Sequence, residues 1–401
     1  MKTQIQHLAQ QYYEQIVLDR RHLHAHPELS FKEKETARYI AERLKSIGLS
    51  PQENIAGHGV VAVIEGKNPQ RQCVALRADI DALPIIEKNE VPYKSKNEGV
   101  MHACGHDVHT ASLLGVAQIL QDLRQEFEGS VKLIFQPAEE VFPGGASLMI
   151  KEGVLAANSH TPAPKSIIGQ HVMPLLEVGK IGFREGVYMA STDEIYVTVK
   201  GKGGHGAMPE LGIDPVLIAS HIIIALQQII SRNTPPKIPA VLTFGKVIAQ
   251  GATNIIPNEV VLEGTFRTLS EEWRYEAHRR MKKMAESIAE GMGGGCEFNI
   301  VVGYPSLKND VALTQRLKYF AQEYVGKENV IDLDIWMAAE DFAYYSQVTD
   351  ACFYRLGTRN EAKGITSGVH TNTFDIDEEA LKIGAGLMAW LAVKELAGAF
   401  Y

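Results

Sequence analysis

The sequence predicts an α/β protein in which a smaller ferredoxin-like domain interrupts a larger domain. Three observations lead to this prediction. In the first half of the chain, short apolar runs typical of buried strands alternate with helical patterns. From Glu194 the predicted order becomes β-α-β-β-α-β, the order of a ferredoxin-like unit. After Tyr304 and Pro305 the α/β alternation returns, so we interpret the middle segment as an insertion.

The elements of the larger domain are predicted from the spacing of apolar residues. In the first helix, Ala37, Ile40 and Leu44 share one face, and Gly48 ends the helix. The runs 60–64, 73–78 and 131–135 are apolar or β-branched and predict strands, and a helix from about His109 to Leu123 precedes the third. After the insertion we expect, in order, a helix over 311–324, a strand over 352–356 and a closing helix from 378 to about 396.

The inserted domain has its own predicted elements. They are a strand at 194–200, a helix at 214–231, strands at 241–249 and 260–267, a helix at 271–292 and a strand at 297–302. Gly293 to Gly295 lack the Lys and Ser/Thr of a phosphate loop and are interpreted as a helix stop. The larger domain is therefore expected to comprise residues 1–185 and 303–401, and the insert residues 186–302.

Composition limits the class of protein. The chain has 401 residues, of which 45% are hydrophobic, which is enough for two cores. The net charge of -8 comes from interspersed charges, which argues against nucleic acid or an anionic membrane as the main partner. The start of the chain lacks a hydrophobic signal segment and no apolar run approaches ~18 residues, so we expect a cytoplasmic protein. The four cysteines are too scattered for a disulfide framework and are expected to be reduced.

The segment from His102 to His109 carries the strongest chemical signal. It holds three histidines, Cys104 and Asp107 within eight residues. Thiolate and imidazole are ligands of zinc-like metals, and a position just before a helix favours the thiolate form of Cys104. Cys104 and His106 are the preferred ligands, with His102 and His109 expected to support them or cap the helix.

Carboxylates follow two of the predicted strands. Glu139 and Glu140 come after the strand at 131–135, at the end where α/β proteins bind ligands, so that one can hold a metal while the other moves protons. Asp79 and Asp81 follow the strand at 73–78 on one face. They are expected either to orient a metal-bound imidazole or to form a strand-end salt bridge with Arg77.

Other candidates stand alone in the sequence. His171 follows an apolar run, His370 lies in a loop before the last helix, and His205 lies in a glycine-rich loop of the insert. Asn254 lies between two strands of the insert. The histidines at positions 22, 24 and 26 resemble a metal tract but are interpreted as a structural cluster at a helix end.

Taken together, these motifs resemble the amidohydrolase branch of the aminoacylase and carboxypeptidase-G metallopeptidase family, which includes hippurate hydrolases and indole-acetyl-amino-acid hydrolases. The resemblance spans nearly the whole chain, and besides the motifs above it includes the segments at 24–28 and 338–342. It implies a catalytic domain with a central mixed sheet flanked by helices and an inserted domain that serves as lid and dimerisation element. The likeness specifies the family much more closely than the substrate.

The resemblance also implies residue roles. The implied ligands of one or two divalent metal ions are Cys104, His106, Glu140, His171 and His370. Glu139 would be the general acid/base, and Asp81 would orient a ligand. Asp79 stands where the wider family has a metal-binding His, a departure typical of the amidohydrolase branch, and Cys104 takes over the bridging position. Zinc suits the thiolate, but manganese, cobalt or nickel remains open.

The expected activity is hydrolysis of the amide bond of an N-acyl-L-amino acid. In the family, the histidine matching His205 reaches the partner subunit's active site in a homodimer and stabilises the oxyanion, and Asn254 would help to bind substrate. Hippurate-, acetyl- and indole-acetyl-type conjugates all remain open. The alternatives are an N-acetyl-diaminopimelate-type deacetylase or short dipeptidase, a cysteine-nucleophile hydrolase using Cys104, and a non-catalytic amino-acid or peptide binder.

Overall fold

The structure is a computed structural model and describes residues 1–398. These residues divide into two compact units. The first unit comprises Met1–Gly186, Lys308–Asp334 and the chain from Asp341 onward. The second comprises Val187–Leu307 together with the short segment Ile335–Glu340. That short segment joins the second unit through backbone hydrogen bonds from Ala190 to Trp336 and Ala338.

The helices and strands are as follows. The α-helices are α1 (Lys2–Gln11), α2 (Tyr13–Ala25), α3 (Lys34–Ser46), α4 (His106–Asp122), α5 (Gly145–Lys151), α6 (Pro215–Gln228), α7 (Glu271–Gly291), α8 (Val311–Val325), α9 (Ala343–Ser346) and α10 (Glu379–Ala397). The strands are β1 (Gln52–Ile55), β2 (Gly59–Glu65), β3 (Cys73–Asp79), β4 (Ser130–Gln136), β5 (Pro164–Glu177), β6 (Ile181–Phe183), β7 (Gly186–Met189), β8 (Asp193–Lys200), β9 (Gly204–His205), β10 (Ala240–Ala249), β11 (Ile255–Ile256), β12 (Glu259–Thr268), β13 (Gly295–Val302), β14 (Leu307–Asn309), β15 (Val330–Asp332) and β16 (Asp350–Arg359).

The first unit is built on an eight-stranded mixed sheet. Its strand order is β1-β2-β4-β3-β5-β16-β6-β15. The central strands β4, β3, β5 and β16 are mutually parallel, whereas β2 and β6 pair antiparallel with their neighbours β4 and β16. Every residue of β3 and β4 is buried, as expected for strands covered on both faces. The mixed sheet with flanking helices confirms the predicted α/β class.

Helix α4 lies at the centre of the first unit. It packs against α2, α10 and β3, and nearly all of its residues are buried. It begins at His106 and not near His109, so the predicted start was wrong by one turn. Gly105 precedes it with a φ of 85°, which glycine adopts without strain, and a side chain there would collide with Val172. The earlier start places His106, Asp107 and His109 together in the first turn.

The second unit contains an antiparallel four-stranded sheet. Its strand order is β10-β12-β8-β13, and helices α6 and α7 pack on it. The apolar core of this unit includes Val197, Ile222 and Met281. Gly293 has a φ of 83° and follows the end of α7, which agrees with a helix stop.

One helical stretch, Pro215–Asn233, is long and apolar enough by length and composition to cross a membrane. A core helix of a soluble protein passes the same test, so a single such stretch is weak evidence. Ile218, Ile222 and Leu226 on this helix are buried in the core of the second unit. Its opposite side exposes Leu217 and Ile224.

Candidate metal centre

The side chains predicted as metal ligands come together in the first unit. Cys104 lies just before α4 and His106 begins it, Glu140 follows β4, His171 lies in β5, and His370 lies in the loop before α10. Because β4, β3 and β5 are parallel neighbours, the segments at their carboxyl ends meet at one edge of the sheet. Two overlapping groups result, one of Cys104, His106 and His171 and one of Cys104, Glu140 and His370, with ligand atoms within 4.8 Å of one another in each.

His106 presents one ring nitrogen to this cluster. Its Nδ1 lies 3.1 Å from Asp81 Oδ1, so Nδ1 carries the proton and donates to the carboxylate. Its Nε2 is buried and has no hydrogen-bond partner among the described residues. Burial opposes protonation of the ring, but Asp79, Cys104 and Asp81 outweigh it and raise the pKa of His106. The ring is thus aimed at a position that favours positive charge.

His171 presents a nitrogen to the same place from β5. Its Nδ1 donates to the carbonyl of Val172 at 2.7 Å, which leaves Nε2 as the acceptor, 3.5 Å from Cys104 Sγ. Burial, and then the guanidinium of Arg355, lower the pKa of His171. A neutral imidazole with its lone pair on Nε2 is the form that binds metals.

Glu140 and His370 complete the cluster. His370 Nε2 lies 3.5 Å from Glu140 Oε1, and His370 N donates to the carbonyl of Ala103 at 2.7 Å. His370 has a φ of 61°, an uncommon backbone conformation for a residue with a side chain. The neighbouring Cys104 and then Glu140 raise the pKa of His370 to about 10, because both groups favour a positive charge beside them.

The residues fit a divalent metal ion. Two of the converging atoms, His106 Nε2 and Glu140 Oε1, are buried without a hydrogen-bond partner among residues 1–398. Each such atom costs about 1–3 kcal/mol unless something satisfies it. A cation bound by both atoms would remove that cost, and it would take the place of the proton that the cluster otherwise attracts. Thiol, imidazole and carboxylate donors together match a zinc-like metal.

Burial changes the expected chemistry of Cys104. From its place before a helix, the sequence predicted a lowered thiol pKa. That prediction included a nearby cation; without one, burial and then the carboxylate of Glu140 raise the pKa of Cys104. A bound cation would favour the thiolate form of Cys104, as it does for other cysteine metal ligands.

His109 lies beside the proposed ligands, and both of its ring nitrogens already make hydrogen bonds. Its Nδ1 lies 2.6 Å from Asp79 Oδ1, and its Nε2 accepts a hydrogen bond from the amide of Val172 at 2.9 Å. Both ring nitrogens are therefore used. Asp79 also accepts from Arg77 at 2.6 Å, so it both orients an imidazole and forms the strand-end salt bridge. Asp79 and Asp81 thus hold two different histidines, a division that the sequence did not reveal.

Glu139 is buried beside the cluster. Its Oε1 accepts a hydrogen bond from the amide of Asp341 at 3.3 Å. A carboxylate oxygen of Glu139, one of Glu140 and a ring nitrogen of His106 all lie within 4.8 Å of one another. The Asp341 carboxylate is fixed in turn by Arg77 at 2.7 Å and by Gln136 at 2.8 Å. Asp341 had no predicted role, and its only signal in the sequence was its place in the segment 338–342 that is part of the resemblance.

Three further histidines lie outside the proposed ligand set. His24 is buried between Asp107, at 2.8 Å, and Glu87, at 3.1 Å. His22 stacks on Tyr39, so these rings form a structural cluster at the end of α2. His102 is buried, and burial lowers its pKa to about 4. It does not cap α4, because no side chain makes a cap hydrogen bond at Gly105.

His205 and Asn254 lie in the second unit. His205 is in β9, which pairs with β11 so that His205 faces Ile255 across the two strands. The amide of Gly206 donates to the carbonyl of Asn254 at 2.8 Å, which holds the two loops together. Both His205 and Asn254 are exposed. The structure therefore brings these two predicted residues close to each other, at the surface of their own unit.

Comparisons with known proteins agree with the motifs. The model of the family described as Peptidase family M20/M25/M40 matches residues 75–394. An N-acetyl-L-cysteine deacetylase of Bacillus subtilis is 40% identical over 382 residues, which cover 95% of this chain and 88% of that protein. An N-acyl-L-amino acid amidohydrolase of Geobacillus stearothermophilus is 42% identical over 308 residues, which cover 77% of this chain and 81% of that protein.

Among solved structures, the YXEP protein of Bacillus subtilis is described as a dinuclear metal binding peptidase from the M20 family. It matches with a TM-score of 0.82 and 36% identity, covering 97% of this chain and 100% of that one. The family model matches most of the chain. The Bacillus subtilis deacetylase is 40% identical to the chain over 88% of its own length. The resemblance read from the motifs is confirmed, and the chain belongs to peptidase family M20/M25/M40.

Proposed function

We propose that the protein is a metal-dependent amidohydrolase that cleaves N-acyl-L-amino acids to a carboxylic acid and a free amino acid. The observation that carries this proposal is the buried cluster of thiol, imidazole and carboxylate donors beside Glu139. The family and the two named relatives support the same class of reaction. Acetyl, benzoyl and indole-acetyl groups all remain candidates for the acyl group.

The ligands of one or two divalent ions in this proposal are Cys104, His106, Glu140, His171 and His370. The thiol favours zinc, and manganese, cobalt and nickel are the other candidates. When bound, such an ion polarises the acyl carbonyl and lowers the pKa of water. Asp81 keeps the proton of His106 on Nδ1 and so turns Nε2 toward the ion.

The chain's own residues move the protons. Glu139 takes a proton from the attacking water and gives it to the nitrogen of the leaving amine. The hydrogen bond from the Asp341 amide fixes Glu139 Oε1 for this transfer. His205 donates a hydrogen bond to the oxygen that becomes negative as water adds to the carbonyl, and Asn254 binds the substrate beside it.

The second unit, as lid and dimerisation domain, is proposed to form a homodimer through which His205 reaches its partner's active site. In support, β10 is an edge strand of the four-stranded sheet and exposes 55% of Val247, and α6 exposes 73% of Ile224. The double variant Ile224→Glu/Val247→Glu should halve the mass measured by light scattering, because burying two carboxylates opposes association. Val311→Glu, at an exposed position of the first unit, should leave the mass unchanged. A monomeric unaltered protein at micromolar concentration would rule out the dimer.

The test of the function is amino-acid release from a panel of N-acetyl, N-benzoyl and N-indole-acetyl amino acids, N-acetyl-diaminopimelate and dipeptides. Metal-stripped protein is compared with protein reloaded with zinc, manganese, cobalt or nickel. We expect release from one class of conjugate, only after reloading. Release in the presence of chelator, lost on alkylation of Cys104, would instead indicate a cysteine nucleophile. Tight metal binding without release from any compound would indicate a binder.

The proposed partner is a small N-acyl amino acid, with no nucleic acid or membrane. The proposed location is the cytoplasm, where the reduced cysteines of this chain are expected to persist. Cys73, Cys104, Cys296 and Cys352 are all free in the structure.

A further inference from the structure

Glu33 is a buried carboxyl group outside the proposed metal and catalytic residues. It has no exposed surface, and its Oε1 accepts a hydrogen bond from the amide of Ala138 at 2.8 Å. Burial, and then the nearby Asp81, raise the pKa of Glu33 to about 7. Glu33 is the residue at the amino-terminal cap of α3, yet its side chain makes no cap hydrogen bond to that helix. Capping therefore does not explain why a carboxyl group is buried here.

The peptide that Glu33 holds is conformationally strained. Ala138 has a φ of 52°, in the left-handed region that residues with a Cβ seldom adopt. This conformation costs about 1–2 kcal/mol and persists only where the surroundings enforce it. Two contacts do so, since the Ala138 amide donates to Glu33 and the Ala138 carbonyl accepts from the amide of Gly145 at 2.9 Å. Ala138 immediately precedes Glu139.

The peptide on the other side of Glu139 is held in the same way. The amide of Glu140 donates to Asp81 Oδ2 at 3.0 Å, and the hydroxyl of Ser30 donates to the same oxygen at 2.6 Å. Two buried carboxylates, Glu33 and Asp81, therefore hold the backbone amides on either side of Glu139. The direction in which the Glu139 carboxylate leaves the chain depends on both contacts.

We propose that Glu33 is a positioning residue for Glu139, which it aims by holding the left-handed Ala138 peptide from the adjoining loop. This inference rests on the proposed function for its effect on turnover, whereas the contact itself does not. Loss of the contact frees Ala138 to relax toward an unstrained φ, which turns the following residue. Because a misplacement of about 1 Å at a reacting group can cost about 100-fold in rate, turnover should be sensitive to Glu33.

Three variants test this inference. Glu33→Ala removes the acceptor, Glu33→Gln keeps an oxygen that can accept from the Ala138 amide, and Glu35→Ala alters an exposed carboxylate of the same helix as the control. For each we measure kcat, KM and metal content. Hydrogen exchange of a peptide spanning 136–142 is measured on the metal-free protein and does not depend on activity.

We expect Glu33→Ala to lower kcat about 10- to 100-fold with KM and metal content nearly unchanged, and to speed exchange at residues 138–140. Glu33→Gln should retain most of the turnover and the slow exchange, and Glu35→Ala should match the unaltered protein. Slow exchange and normal kcat in Glu33→Ala would overturn the inference. Equal losses in folded, metal-loaded Glu33→Gln and Glu33→Ala would also overturn it, because the acceptor would then be irrelevant. If the unaltered protein releases no amino acid, the proposed function fails, and the exchange comparison still decides whether Glu33 holds the loop.

Discussion

The proposed metal ligands of the first unit and the His205 loop of the second differ in how their side chains are held. One ring nitrogen of His106 donates a hydrogen bond to Asp81, and one of His171 donates to the Val172 carbonyl. The other nitrogen of His106 faces Glu140, and that of His171 faces Cys104. His205 is exposed, and its Nδ1 accepts a hydrogen bond from the amide of Ala207, two residues along the chain, at 3.1 Å. The first site is thus oriented by the folding of its own unit, whereas the orientation of the His205 ring has little support from its own loop.

Removal of the His205 side chain should give the largest change in turnover. His205→Ala should lower turnover about 10²- to 10³-fold, the range for loss of one oxyanion donor, with metal content unchanged because the ligands lie in the first unit. Turnover and bound metal are measured on the same samples. His160→Ala, which removes an exposed histidine of the first unit, is the control. Near-normal turnover in His205→Ala would eliminate the proposed oxyanion role.

A smaller effect should follow when the buried support of the cluster is weakened. Asp81→Asn should reduce metal affinity about 10- to 100-fold, because the amide no longer fixes the proton of His106 on Nδ1. Competition with a chromogenic chelator measures the affinity. Ser30→Ala removes one donor to Asp81 and leaves the contact to His106, so its effect should be several times smaller. Equal affinity in Asp81→Asn and the unaltered protein would mean that the cluster does not depend on this contact.

The strand ends that carry the carboxylates could be predicted from the sequence for a physical reason, whereas the full set of proposed ligands came from the family resemblance. Apolar runs marked β3 and β4, and polar side chains that follow parallel neighbouring strands must converge. The contacts of Asp79 and Asp81 could not be predicted, because two aspartates on one face can serve either of two nearby imidazoles, and only the three-dimensional structure pairs Asp79 with His109.

Other features depended on geometry that no short pattern encodes. The left-handed φ of Ala138 has no sequence signal, since neither alanine nor its neighbours prefer that conformation. The contact between Glu33 and Ala138 joins residues 105 positions apart. The sequence also did not reveal that, without a cation, burial and Glu140 outweigh the position of Cys104 before α4 and raise its thiol pKa.

The smallest expected effect is a contrast in pH dependence between the two units. Burial and then Asp81 raise the pKa of Glu33 from 4.5 to about 7, so the folded protein binds this proton more tightly than the unfolded chain does. The resulting stabilisation is complete below pH 4.5 and is lost as the pH rises to about 7. At Asp193, burial is outweighed by His278 and Arg274, which lower the pKa. Its contribution is therefore present above 3.8 and is lost as the pH falls below that value.

Urea unfolding of metal-free protein between pH 3 and 8 measures this contrast. The free energy of unfolding of the unaltered protein should fall by roughly 1–3 kcal/mol between pH 4.5 and 7 because of Glu33, and this fall should be absent in Glu33→Gln. The fall in the free energy of unfolding below pH 4 that Asp193 causes should be absent in Asp193→Asn. Curves that stay parallel to that of the unaltered protein over the whole range would show that neither carboxyl is shifted as described.

The proposed function is tested most closely by a metal titration that records bound metal and amino-acid release together. Metal-stripped protein is titrated with zinc or manganese in the presence of the best substrate of the panel, and Glu139→Gln is treated identically. Our expectation is that release rises with bound metal in the unaltered protein, and that Glu139→Gln binds the same metal while its release falls by about 10²-fold or more. Full release by metal-stripped protein, or undiminished release by metal-loaded Glu139→Gln, would contradict it.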